Sequence, residues 1–129
     1  ILMQLNLYFK KLSIMKKKNL SVKKKIHNFY FKKLDDPKVK KIYLNFKKKL
    51  STNCSNNFCV AVSGGVDSIA LSFLAKCYSL EKKKKIYFYI VDHKLREDST
   101  KEAFFVKKKL KQFEITCKIL TLNKNRKFS

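Results

Sequence analysis

Ser63-Gly64-Gly65-Val66-Asp67-Ser68 is the stretch of this chain whose residue types and spacing best suit chemistry on a ligand. Both glycines of the 129 residues stand here side by side. Glycine lets a backbone approach a ligand closely and adopt positive φ. A helix starting just after the pair would aim free amides and the positive end of its dipole into the loop. Ser63 and Ser68 add hydroxyl donors. Together these groups make a cradle for phosphate oxygens. Asp67 would repel bare phosphate, so the expected partner of its carboxylate is a Mg²⁺ ion bridging to phosphate. Other ligand loops fail on spacing. There is no G-x-x-x-x-G-K-[ST] and no G-x-G-x-x-G, and Ser63 lacks the G-x-S-x-G frame of a nucleophile elbow. The bland alternative is a plain tight turn. Glycine is so scarce elsewhere that its pairing here argues against that.

The elements needed to hold this loop are legible around it. Phe58 to Val62 is a short apolar run, as expected of a buried parallel strand. Ile69 to Tyr78 reads as a helix, and Glu81 to Lys85 as a charged link. Ile86 to Val91 is a second strand and Asp92 to Asp98 a loop. Ser99 and Glu102 fit the S-x-x-E capping box at a helix start. That helix would turn Ala103, Val106, Leu110 and Phe113 inward. Thr116 to Leu122 reads as a third strand. A β-α-β-α-β order with short connections predicts a right-handed α/β parallel sheet with helices on both faces. The loop then lies at the carboxyl end of the first strand, where such sheets bind ligands.

Upstream, residues 1–20 show no clean period and read as a disordered lead. Residues 21–57 read as a Lys-rich helical extension. Val22, Ile26, Phe29, Tyr30 and Leu34 fall at helical spacing. Asp36 then Pro37 is a cap followed by proline at the first helical position. Ile42, Tyr43, Phe46 and Leu50 continue a stripe, and Ser51 to Asn57 is a polar boundary.

Composition bounds the rest. Lys and Arg total 32 against 9 Asp and Glu, a formal net charge of +23, and only Arg96 and Arg126 are arginines. Such a field favours polyanions, nucleic acid first and an anionic membrane surface second. Codon drift toward A and T would also enrich Lys, Asn, Ile and Phe. Hydrophobic residues reach 45%, enough for a core, while 2 Gly and 1 Pro exclude collagen-like and Pro-rich architectures. Cys54, Cys59, Cys77 and Cys117 form no C-x-x-C and fit no zinc spacing. They read as reduced structural thiols of a cytoplasmic protein. No signal peptide or membrane span is expected. The first residue is Ile1, and Met3 or Met15 is a candidate start.

The S-G-G-x-D-S hexapeptide resembles the pyrophosphate-binding loop of the ATP pyrophosphatases (PP-loop ATPases), whose fold is adenine nucleotide alpha hydrolase-like. Val91-Asp-His-Lys-Leu-Arg96, followed by Ser99 and Glu102-Ala103, resembles the V-D-H-x-L-R-x-x-S-x-x-E-A segment of the bacterial tRNA(Ile)-lysidine synthetase family. The resemblance runs from about Phe58 to Ser129. It implies that Ser63, Gly64, Gly65, Val66, Asp67 and Ser68 hold ATP and that Asp67 helps hold its Mg²⁺. It further implies substrate or nucleotide contacts from Asp92, His93 and Arg96. Taken alone, His93 reads equally as an ordinary loop histidine and Arg96 as a helix-capping cation.

The implied reaction activates C2 of the first anticodon cytidine of tRNA(Ile) bearing CAU. The ε-amine of free L-lysine then displaces AMP, giving lysidine. The family continues with a basic A-R…R-Y segment and acidic residues that fall beyond Ser129. Residues 58–129 are therefore expected to be the first part of the catalytic domain, unable alone to make lysidine. Two other ATP pyrophosphatases stay in view. GMP synthetase lacks the S-x-x-E-A continuation, and tRNA thiolation enzymes often carry C-x-x-C. A non-catalytic basic RNA-binding module is the remaining alternative.

Overall fold

The computed structural model describes residues 19–53 and 57–122, with residues 19–23 and 53 described by backbone alone. The elements run α1 (Asn19–Lys33), α2 (Pro37–Asn53), β1 (Cys59–Val62), α3 (Val66–Lys82), β2 (Tyr87–Asp92), α4 (Ser99–Lys111) and β3 (Cys117–Thr121). The expected lead lies outside the described residues except for Asn19 and Leu20, which open α1. The three strands form one parallel sheet in the order β1-β2-β3. Val62 pairs with Ile90, which pairs in turn with Ile119.

Alternation along the strands decides which face of the sheet is covered. Val60, Val62, Phe88, Ile90, Asp92 and Cys117 are buried. Their neighbours Cys59, Ala61, Tyr87, Lys118 and Leu120 are exposed. Side chains alternate across a strand, so these sets belong to opposite faces. α3 packs on β1, and α4 on β2 and β3. Helices on both faces were expected, yet among the described residues they cover one. The physical reason is the strand order. Two crossovers of the same hand, each stepping one strand in the same direction, return on the same side.

α1 and α2 form a further layer over α3. Ile26, Phe29, Tyr30 and Tyr43 join the same apolar core as the sheet. Tyr30 is fully buried, and its hydroxyl donates to the Phe113 carbonyl at 2.7 Å, tying α1 to the end of α4. Burying an aromatic of this size contributes about 2 kcal/mol, and the bond removes the penalty of a buried hydroxyl. Burial, with the nearby Cys77 and Glu114, pushes the phenol pKa well up. The Tyr43 hydroxyl donates to Glu81, and Lys47 Nζ reaches the same carboxylate at 2.6 Å, joining α2 to α3. Partial burial opposes charge on Glu81, but the bonds from Lys47 and Tyr43 outweigh it and hold the carboxyl below its usual range. The basic extension is thus packed into the core.

Local rules account for most boundaries. Asp36 Oδ1 accepts from the amides of Lys38 at 2.8 Å and Val39 at 3.2 Å, with Pro37 in the first turn as predicted. Such a cap stabilises by about 1 kcal/mol. Ile42, expected in the apolar stripe, is exposed while Tyr43 is buried. The stripe is narrower than the spacing suggested because, among the described residues, α2 packs mainly on α3. Ser51 and Thr52, expected in a boundary loop, extend α2 instead. Their hydroxyls bond back to the Lys48 and Lys49 carbonyls. Cys54 to Asn56 lie outside the described residues. Cys77 and Cys117 are buried thiols, and burial pushes them up to about 12 and about 11. Cys59 is exposed on β1. No helix among the described residues is long and apolar enough to cross a membrane.

Candidate functional site

The glycine loop sits where β1 ends and α3 begins, at the carboxyl edge of the sheet. α3 starts at Val66, three residues earlier than its apolar pattern predicts. Its polar first turn carries no hydrophobic signal, so only the glycine pair marks the start. Gly65 is the N-cap and makes no side-chain cap bond. The first bond across the helix start runs from Ile69 N to Gly65 O at 3.1 Å. The amides of Val66, Asp67 and Ser68 precede it and point out of the helix end without helical partners. They are the donors an anion would use.

Two serines brace the loop rather than standing free. Ser68 Oγ donates to the Gly65 carbonyl at 3.0 Å and accepts from the Ser63 amide at 3.2 Å. The Ser63 and Ser68 hydroxyls lie 3.2 Å apart, and the Gly65 amide donates to Ser63 Oγ at 3.3 Å. Gly64 has φ +89, the left-handed region that disfavours side chains. A Cβ there would come within 2.6 Å of Val106 Cγ2 on α4. The loop therefore needs glycine twice over at this position, for its backbone and for the close approach of α4. Gly65 is in ordinary extended backbone.

Asp67 lies on the first turn of α3, and its carboxylate is exposed. One carboxylate beside a loop of outward amides fits Mg²⁺, which takes one or two carboxylates together with phosphate oxygens and water. Among the described residues no cluster of His, Cys, Asp and Glu forms a metal cage.

Asp92 ends β2 and faces the other way. It is 2% exposed. Thr100 donates its hydroxyl to Oδ2 at 2.6 Å, Ser99 its hydroxyl to Oδ1 at 2.8 Å, and the Lys94 amide to Oδ1 at 3.0 Å. Led by the Thr100 bond, these donors hold the carboxyl below its usual range against the cost of burial. The expected capping box does not form. Asp98 is the N-cap and makes no side-chain cap bond, Ser99 turns to Asp92, and Glu102 pairs with Arg96 at 2.9 Å. Asp98 takes the N-cap place, its carbonyl accepting from the Glu102 amide at 2.9 Å, so Ser99 stands one position inside the helix and its hydroxyl donates to Asp92 instead. His93 and Arg96 are exposed. Lys94 has φ +50, fixed by the bond from its amide to Asp92. Lys94, Leu95, Arg96, Glu97 and Thr100 line an open hollow of about 370 Å³ beside this turn.

The structure thus groups Ser63 to Ser68 in one loop and brings α4 against it through Val106. The residues that sequence reasoning missed are Thr100 and Val106 as partners of Asp92 and Gly64. A hydroxyl pair following an acidic strand end was the available signal for Thr100. Nothing in sequence marks Val106, because its role is a distance.

Known proteins place the chain more firmly. The family model described as a PP-loop domain matches residues 36–128. The chain belongs to the PP-loop domain family. The match reaches back through α2, further than the loop motifs do. Among curated relatives, the tRNA(Ile)-lysidine synthase of Orientia tsutsugamushi (strain Boryong) is 47% identical over 47 residues, covering 36% of this chain and 11% of the relative. That of Rickettsia akari (strain Hartford) is 37% identical over 70 residues, covering 50% and 16%. That of Rickettsia rickettsii (strain Sheila Smith) is 32% identical over 66 residues, covering 51% and 14%. The chain therefore spans less than a fifth of the length of these relatives. No solved structure matches it.

Proposed function

We propose that this PP-loop chain forms part of a cytoplasmic ligase that uses ATP and Mg²⁺ to join lysine to C2 of the first anticodon cytidine of tRNA(Ile) bearing CAU. The carrying observation is the glycine loop at the carboxyl edge of β1, with Gly64 at φ +89 and the uncapped start of α3 behind it. The names of the relatives support the choice of tRNA substrate.

In this reading the amides of Val66, Asp67 and Ser68 receive the β- and γ-phosphate oxygens. Ser63 and Ser68 hold the loop open by bonding to each other. Asp67 would hold Mg²⁺, which would supply positive charge to stabilise pyrophosphate as a leaving group. The cytidine O2 attacks the α-phosphorus as pyrophosphate leaves. The lysine ε-amine then attacks C2, AMP departs with that oxygen, and the amine loses its proton. His93 and Arg96, both exposed, would meet nucleotide or substrate, Arg96 from the lining of the hollow. Asp92 acts from inside, by holding the turn that carries them.

The test is equilibrium binding of a non-hydrolysable ATP analogue with Mg²⁺ to the chain, with pyrophosphate as competitor. Binding displaced by pyrophosphate and weakened at least tenfold by Asp67→Ala is expected. A loop that takes no analogue, or a bound analogue that pyrophosphate leaves in place, sinks the proposal.

A further inference from the structure

We propose that the outward face of α4 is a docking surface for single-stranded RNA, with Phe104 and Phe105 stacking on unpaired bases and Lys101, Lys108 and Lys109 meeting phosphates. This deepens the function proposed above and rests on it for the choice of RNA.

α4 divides sharply. Ala103 and Leu110 are buried against the sheet, and Val106 lies against Gly64. Lys101, Phe104, Phe105 and Lys108 recur at the spacing of one helix face, the face turned away from the core. Phe104 is 59% exposed and Phe105 is 63% exposed. The two adjacent exposed rings form a small apolar patch of the kind found at contact surfaces.

Charge identifies the partner. Glu102 is engaged by Arg96, and Asp98 by Lys101 at 3.5 Å. Among the described residues no acidic group pairs with Lys108 or Lys109. Lys109 Nζ stands 5.4 Å from the centroid of the Phe105 ring. Lysine is depleted at the centres of protein–protein interfaces. Exposed aromatic rings set among cations are the pattern of single-strand binding, where bases stack and phosphates pair.

The experiment measures fluorescence anisotropy of a labelled anticodon stem-loop bearing CAU, a labelled unstructured RNA and a blunt RNA duplex, each over a range of salt. The proteins are the full chain, Phe104→Ala/Phe105→Ala, and Lys101→Ala/Lys108→Ala/Lys109→Ala. Alanine is a strong helix former and these side chains are outside the core, so both variants keep the fold. The Phe variant is expected to lose about tenfold or more in affinity for both RNAs with unpaired bases, and little for the duplex. The Lys variant is expected to flatten the dependence of log affinity on log salt by about two units. Unchanged binding of the stem-loop by the Phe variant overturns the surface while the proposed reaction stands. Equal losses for duplex and single strand overturn the stacking role. A wild-type dimer that the Phe variant splits, seen by sedimentation, makes this face a self-association surface and also overturns the proposal. An intact ATP site with Phe-dependent binding of every unpaired RNA alike supports the surface and counts against specific recognition of tRNA.

Discussion

Two loops leave neighbouring strands at the same edge of the sheet, and each contains aspartate and serine. After β1, the loop at 63–68 keeps Asp67 exposed and leaves three amides pointing outward. After β2, the turn at 92–100 buries Asp92 and surrounds it with Ser99, Thr100 and the Lys94 amide. Residue type is shared; what differs is whether the donors have already found an acceptor. A loop whose own groups are satisfied holds its shape, and one with unspent amides and an open carboxylate can receive a ligand. The resemblance joins both loops in one reading, whereas the geometry separates an open loop from one whose carboxylate is already satisfied.

The strongest way to break this contrast is at Gly64. Gly64→Ala adds a methyl 2.6 Å from Val106 Cγ2 at a backbone angle that disfavours any side chain. Overpacking and backbone strain together should cost on the order of 3 kcal/mol. The urea midpoint is expected to fall and binding of the ATP analogue to disappear. Adding Val106→Ala removes the clash but not the strain, so stability should return only in part. A double variant as stable as wild type would mean that φ at Gly64 carries no cost.

The two aspartates provide a sharper comparison. Asp67→Asn should change stability by about 0.5 kcal/mol or less, because only its interaction with the helix start is lost. Its effect should appear in Mg²⁺-dependent binding. Asp92→Asn should do the reverse, lowering the urea midpoint and leaving Mg²⁺ dependence intact. The pH dependence follows from the direction of the shift. The Asp92 carboxyl is held below its ordinary value in the folded chain. Its contribution is therefore full above the usual carboxylate range and fades as pH falls through that range toward the folded value. The stability gap between wild type and Asp92→Asn should be widest near neutral pH and should narrow in acid. A gap that widens in acid contradicts the hydrogen-bond network around Asp92.

Much of this contrast was legible before the structure. The glycine pair marked the loop at the end of β1, because two rare residues stand together at one strand end. Short apolar runs located the described strands, period-3.6 spacing the helices, and Asp36-Pro37 marked the start of α2. Three features were hidden. The first turn of α3 is polar, so the helix seemed to begin at Ile69. The S-x-x-E spacing at Ser99 pointed to a capping box because the pattern does not show that the helix starts one residue earlier, with Asp98 at the N-cap. The covered face of the sheet depends on strand order, and short apolar strands read the same whether one face or both are buried. Local chemistry leaves a mark in sequence, while competition between distant groups leaves none until they meet.

The smallest expected effect tests the turn itself. Lys94 holds φ +50 because its amide must reach Asp92, although a side chain there crowds the backbone. A left-handed residue with a Cβ costs roughly 1–2 kcal/mol, and glycine avoids that cost while losing more entropy on folding. Lys94→Gly should therefore stabilise the chain by about 0.5 kcal/mol, read as a small rise in urea midpoint. The gain should vanish in an Asp92→Asn background, where a weaker acceptor no longer holds the amide and the turn relaxes. Equal gains in both backgrounds would detach Lys94 from Asp92 and leave the second loop without its internal anchor. Lys94 also lines the hollow together with Arg96. If Lys94→Gly weakens binding of the ATP analogue while raising stability, the strain serves the ligand. If it raises stability with binding unchanged, the strain is only the residue of a chain rich in lysine.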